Sequence, residues 1–263
     1  MNNHERSTTG GDALDDSAAG ARLHFARPPD GQAALECLRE AHVRAAAHVF
    51  SAKQNVVLAN PHHEPQVDPK RYTTARSAAV LIGFCRRSDG GLDLLLTERQ
   101  AGLRFAGHLA FPGGHTDADE RSAITTALRE TAEEVGIEAA QLEVLGALPP
   151  YYSHAGHRIT GVLALVEQNA RLDINHSEVA RVLHVPCERA FSPRAYRIRR
   201  RSAIPYRANY MCTLDGEQLG GPTLSLLIHV YDALLRTPRS PEPHAFAPNR
   251  FAQHAAARTE QHP

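Results

Sequence analysis

The chain has no tryptophan, two methionines and only four cysteines in 263 residues, and its basic and acidic side chains cancel to a formal net charge of zero. A balanced charge leaves no global field to draw the chain toward nucleic acid or a membrane surface. Cys37, Cys85, Cys187 and Cys212 are far apart and show no C-x-x-C spacing, which argues against a zinc site or a disulfide scaffold and for free thiols in a reducing compartment. No run approaches the ~20 apolar residues of a membrane span. The first thirty residues lack the apolar stretch of a secretory peptide. A soluble cytoplasmic protein, binding neither nucleic acid nor membrane, is the expectation. Lysine is confined to Lys53 and Lys70; the remaining cations are arginines, whose planar fork suits phosphate. The sixteen histidines are scattered. His62 with His63, and His154 with His157, are the closest groupings, and no set has the spacing of a zinc site with cysteine.

Composition divides the chain. Residues 1–30 are polar and glycine-rich and read as disordered. Residues 31–70 read as a helical extension (Ala33 to Ser51) followed by a proline-broken linker over 59–70. A core domain is expected over 75–236 and a disordered tail over 237–263. Within the core, Ala78–Cys85 and Leu92–Arg99 read as strands of a hairpin around the turn Ser88-Asp89-Gly90-Gly91. A loop over Gln100–His108 leads to a short strand at Leu109–Phe111. A helix over about Glu120–Val135 follows, then strands at Leu142–Leu148 and Arg158–Val166, with Tyr151–His157 as a loop between them. His176–Arg181 reads as a turn, Val182–Val185 and Tyr206–Leu214 as strands, and Pro222–Leu235 as an amphipathic helix with proline in its first turn. Strands interleaved with two long helices fit an α/β sandwich.

The chemistry concentrates before Gly136. At ~100° per residue, Glu133 and Glu134 lie ~60° and ~40° to either side of Glu130. All three carboxylates share a face, away from the apolar stripe of Ile124, Leu128 and Val135. Like charges one turn apart repel, and negative charge in the last turn opposes the helix dipole, by ~0.3–1 kcal/mol. A divalent cation would relieve both, and oxygen donors alone suit Mg²⁺ or Mn²⁺ rather than zinc. A solvated, glutamate-rich helix end with Arg129 pairing locally is the alternative.

The segment Gly114…Glu120…Arg129-Glu130-Thr131-Ala132-Glu133-Glu134-Val135-Gly136-Ile137 resembles the Nudix box, G-x5-E-x7-R-E-U-x-E-E-x-G-U with U apolar. Thr131 takes an apolar position, and eight residues instead of seven separate Glu120 from Arg129. The resemblance covers about residues 75–236 and implies an α/β/α sandwich with a mixed sheet and metal-dependent hydrolysis of a diphosphate. It implies Glu130 and Glu134 as main metal ligands, with Glu133 and Glu120 assisting and Arg129 holding a glutamate in place. Glu133 is the first candidate for general base and Glu178 the second. Gly113 and Gly114 would let backbone amides approach phosphates, and Arg99 and Arg104 would bind them.

Leu95-Leu96-Thr97-Glu98-Arg99, Leu103-Arg104, Gly107 and Leu109 to Gly114 resemble the coenzyme A diphosphatase subfamily. Gln100 replaces its serine, Phe105 and Ala106 form a spacer one residue short, and His157 replaces its usual aromatic. This resemblance implies coenzyme A or a derivative as substrate, cleaved to 3′,5′-ADP and 4′-phosphopantetheine. ADP-ribose, a dinucleotide, or a non-catalytic Nudix-fold binding module are the alternatives. The implied partners are a small coenzyme A-like nucleoside diphosphate and, as an open option, a second copy of the chain in a homodimer.

Overall fold

In the computed structural model the described residues are 40–51, 74–153, 155–192, 195–200, 208–214 and 216–236. The expected disordered segment, proline-rich linker and tail lie outside them, as do the start of the first helix, Cys37, His62, His63 and His154. Helix α1 (Glu40–Ser51) precedes strands β1 (Arg76–Arg86), β2 (Leu92–Arg99), β3 (Leu109–Ala110) and β4 (Gly113–His115). Helix α2 (Ala123–Val135) and a 3₁₀ turn (Ala139–Gln141) lead to β5 (Leu142–Ala147), β6 (Tyr151–Tyr152), β7 (His157–Val166) and β8 (Val179–Pro186). Then come α3 (Cys187–Ala190), β9 (Tyr196–Arg200), β10 (Ala208–Leu214), β11 (Glu217–Leu219) and α4 (Gly221–Arg236).

Eight strands form one sheet, ordered β3-β2-β1-β7-β5, with β4 on β1, β6 on β7 and β8 on β2; β9, β10 and β11 form a second, antiparallel sheet. The large sheet is mixed: β1 and β7 run parallel from Arg76↔His157 to Cys85↔Val166, and its other pairings are antiparallel. Successive side chains of a strand face opposite sides, so β7 serves both layers. Val162, Ala164 and Val166 face the α2 side with Ala79, Leu81, Ala127, Val135 and Ile137. Leu163 and Leu165 face the other side with Ile82 and Phe84, under Val43 and Ala46 of α1 and Leu224, Leu227 and Tyr231 of α4. Burial on both faces explains why β1 and β7 read as continuous apolar runs. The result is the expected α/β/α sandwich.

Arg44 and Arg86 each bridge Glu40 and Glu143, tying α1 to β1 and β5. Half-buried pairs of this kind contribute ~0–1 kcal/mol each, so the apolar layer carries the docking. Cys85, Cys187 and Cys212 are buried free thiols, and burial pushes Cys85 and Cys212 up to about 12.

Several boundaries differ from the sequence reading. Gly113-Gly114, expected in a loop, is strand β4, because its backbone completes the ladder along β1. Tyr151–Tyr152 is strand, not loop, paired with β7. The expected turn over His176–Arg181 gives way at Val179 to one strand, β8, with a register shift at Glu98/Arg99. Glu120 is not helical: α2 starts at Ala123, and the Ser122 hydroxyl caps it by accepting from the Thr125 N–H at 3.1 Å.

Leu163 is fully buried in the central strand. Leu163→Ala is expected to lower unfolding free energy by about 2–5 kcal/mol, measured by denaturant titration.

Candidate active site

Strand β1 changes partners along its length. Phe84 to Arg86 pair with β2, whereas Ala78 to Val80 pair with β4. Where the two neighbours part, a cavity of about 470 Å³ opens, lined by Ala78, Val80, Arg99, Gly113, Gly114, His115, Asp117, Glu130, Glu134, His157, Ile159 and Glu178.

Helix α2 delivers the carboxylates. It ends where Gly136 adopts φ 73 and returns its N–H to the Ala132 carbonyl, the left-handed cap that glycine accepts most readily. Asp173 and Asn175 donate to the last free carbonyls, of Val135 and Glu134. The segment that seals the helix end thus runs directly into Glu178. Thr131, at the position where the Nudix pattern is apolar, is fully buried and donates to the Ala127 carbonyl at 2.6 Å, so its hydroxyl is satisfied within the helix.

Glu134 is 5% exposed and accepts from the Gly113 N–H at 3.1 Å. Burial, above all, pushes its carboxyl up to about 7; the Gly113 bond and Arg99 oppose this, while Glu130 and Glu178 add to it. Burial likewise raises Glu130, against the pull of Arg129. Glu120 moves the other way, held low first by the Arg129 guanidinium and further by the N–H of Asp117 and the Thr126 hydroxyl.

Arg129 organises the rim. It donates to Glu120 (3.1 Å), Glu130 (2.9 Å), Glu133 (2.8 Å) and the His115 carbonyl (3.0 Å). Glu133, 56% exposed, stays with Arg129 and does not line the cavity. The ~100° between Glu133 and Glu134 thus sends one carboxylate to solvent and the other inward. Glu178 does line the cavity.

Arg99 lines the cavity and donates to the Arg104 carbonyl at 3.3 Å. Arg104 does not line it: its guanidinium lies 4.8 Å over the ring of Phe105, an exposed residue held at φ 64. Gln100 explains itself structurally. Its side chain donates to the His176 carbonyl at 2.8 Å and its backbone N–H to Glu178, clasping the turn that carries Glu178. Sequence reasoning missed His115 and Asp117 and gave His157 no role. The available signal was position: His115 directly follows the Gly113-Gly114 strand.

The donor set fits a hard divalent cation. Glu130, Glu134 and Glu178 share one cavity, and burial raises the first two, Glu130 against its bond from Arg129 and Glu134 against its bond from the Gly113 N–H. Among the described residues no three such groups stand already gathered around a point. The glycines leave room: a Cβ on Gly114 would lie 2.5 Å from the Glu130 carboxylate, and one on Gly113, at φ 150, would lie 2.3 Å from the Ala79 carbonyl oxygen.

The NUDIX domain model matches residues 75–206, which contain this whole constellation. The chain belongs to the NUDIX family. It is similar to proteins described as "Uncharacterized Nudix hydrolase NudL" from Yersinia pestis and Yersinia pseudotuberculosis, each 39% identical over 160 residues, 60% of this chain and 79% of theirs. Among solved structures, a C. elegans Ap4A hydrolase binary complex is 24% identical, covering 41% of this chain and 77% of that one at a TM-score of 0.36. RenU, a Nudix hydrolase from M. smegmatis, is 25% identical, covering 43% and 71% at a TM-score of 0.38. As a Nudix hydrolase, the protein acts on a nucleoside diphosphate derivative. No described helix is long and apolar enough to cross a membrane.

The raised Glu134 carboxyl fixes a pH dependence. With a folded-state pKa near 7 against an ordinary 4.5, the folded protein holds a proton that the unfolded chain releases between those values. Stability of the metal-free protein therefore falls as pH rises through that window, by about 1–3 kcal/mol. Denaturant unfolding in EDTA at pH 5 and pH 8 measures the drop, and Glu134→Gln is expected to shrink it, leaving the smaller share of Glu130, which burial also raises.

Proposed function

We propose that this cavity hydrolyses the diphosphate linkage of coenzyme A or a derivative, releasing 3′,5′-ADP and 4′-phosphopantetheine or its acylated form. The observation that carries the hydrolytic reading is the buried Glu134 carboxylate, raised and set beside Glu130, Glu178 and the Gly113-Gly114 strand. The coenzyme A reading rests on the resemblance of Leu95 to Gly114. Gln100 weakens it less than its sequence position suggests, because its bonds hold the Glu178 turn.

In this reading Glu130 and Glu134 hold Mg²⁺ or Mn²⁺, with Glu120 and Glu133 supporting through Arg129. When bound, such an ion neutralises diphosphate charge and lowers the pKa of a water. Glu178 is the preferred general base, since it lines the cavity whereas Glu133 is paired with Arg129 at its rim. Arg99 meets a substrate phosphate from the cavity wall, and the open backbone at Gly113 and Gly114 admits the phosphates close to the sheet. Arg104, stacked on Phe105, would reach substrate only by leaving that ring. The hydrolase unit extends over 75–236, since α4 packs into the same core as the sheet. We further propose a cytoplasmic location, suggested by three buried free thiols, and leave a homodimer as an option that sedimentation would decide.

Glu134→Gln is expected to cut kcat by ~10²-fold or more at saturating metal, because a ligand is removed, while the fold is kept. Full activity in that variant would overturn the site. A panel of coenzyme A, ADP-ribose and NADH with Mg²⁺ or Mn²⁺ tests the substrate: kcat/KM should be highest for coenzyme A, and equal or faster turnover of ADP-ribose would sink that assignment.

A further inference from the structure

The cavity is polarised. Glu130, Glu134 and Glu178 occupy one part of its wall, while His115 and His157 occupy another, with ring centroids 5.1 Å apart and planes tilted by 40°. Strand register explains the grouping. β4 sets His115 opposite Ala78, and β7 sets His157 beside Arg76 and Ile159 beside Ala78. Register partners project to the same face of a sheet, so His115 and His157 gather at one end of the face that Ala78 and Ile159 give to the cavity, with Arg76 exposed at the strand's start beside them, outside the lining but close enough for its charge to act on His115.

None of the three is a carboxylate, and each carries an N–H donor. Burial, then the charge of Arg76, then that of His157, hold the His115 imidazole below its ordinary pKa. An imidazole offers at least one N–H donor in either protonation state, and Arg76 supplies a fixed charge. Asp117, two residues beyond His115, lies 3.6 Å from Arg129, so it is already matched to a cation. His115 follows Gly113 by two residues, roughly 7 Å along the strand, about the span of a ribose that carries phosphates at two of its carbons.

We propose that Arg76, His115 and His157 form an anion subsite for a phosphomonoester that the substrate carries apart from the diphosphate being cleaved. The subsite rests on the hydrolase reading of the same cavity and narrows it to nucleotides phosphorylated a second time on the ribose. The three residues act on binding and positioning; the bond broken is the one at the carboxylate end.

Matched substrate pairs test this: coenzyme A with dephospho-coenzyme A, and NADPH with NADH. The wild-type protein is expected to favour the phosphorylated member of a pair by roughly 10-fold in kcat/KM, mainly through KM, as charge-assisted hydrogen bonds to phosphate should give. Arg76→Gln and the double variant His115→Ala/His157→Ala, which removes both ring donors, should bring that ratio toward one. His115→Phe/His157→Phe should do the same, since phenyl rings stack but do not donate. Calorimetric binding of 3′,5′-ADP against 5′-AMP gives the same comparison without turnover, and circular dichroism checks that each variant folds. A ratio unchanged by the alanine pair overturns the subsite. A ratio retained by the phenylalanine pair and lost by the alanine pair also overturns it, making the rings a stacking platform for a base. If coenzyme A is not preferred over ADP-ribose, the coenzyme A reading fails alone, and NADPH against NADH still decides the subsite.

Discussion

Arg129 donates to Glu120 before α2, to Glu130 and Glu133 upon it, and to the His115 carbonyl at the end of β4. One planar cation thereby sets the rotation of the helix against the sheet. Glu134 lies a little over one turn further along and reaches the Gly113 amide. Without that clamp, repulsion among the carboxylates would favour turning them outward to water. With it, Glu134 stays dry and Glu120 stays ionised. The opposite shifts of these two acids, one raised by burial and one held low by the guanidinium, arise from one arrangement. Geometry here sustains a local electrostatic cost of the kind that clusters at functional sites.

Much of this could be read from residues alone, where a single local rule governs. The run from Arg129 to Gly136 fixes helix, cap and acidic face by spacing, and the apolar runs of β1, β2 and β7 were legible because both their faces are buried. Misreadings came where tertiary contacts override local preference. Gly113-Gly114 has the composition of a loop but pairs with β1, since flat backbone there leaves space for Glu130. Glu120 matched the helical rhythm, yet it folds back to receive the Asp117 amide and Arg129. That Glu133 would part from Glu134 required knowing where the sheet lies, which spacing within one helix cannot supply. His115 and His157 are 42 positions apart in the chain and meet only because β4 and β7 both pair with β1.

The cavity draws on elements of different kinds. Its carboxylates come from α2 and from the turn that seals α2, and its remaining wall comes from strand faces and the loop after β2. Changes at Ala78, His157 or Ile159 reshape the wall without touching the helix, and Gln100 can depart from a family pattern while it still clasps the Glu178 turn. The carboxylate cluster and the rest of the cavity wall therefore stand on separate elements, with Arg129 and the Gly113 amide as their points of contact.

The parallel pairing of β1 with β7 joins segments roughly 80 residues apart, and such distant contacts form slowly because a long loop must close first. During synthesis β1 emerges early and waits, its apolar faces uncovered, until β7 has left the ribosome. The β1–β2 hairpin forms locally in the meantime and protects one edge. The contacts that bring His157 beside Arg76 and the α2 end against the Glu178 turn must wait for these later residues to be synthesised. A chain cut short between Ile137 and His157 would carry all the glutamates of the helix but lack His157, Ile159 and Glu178 of the cavity wall.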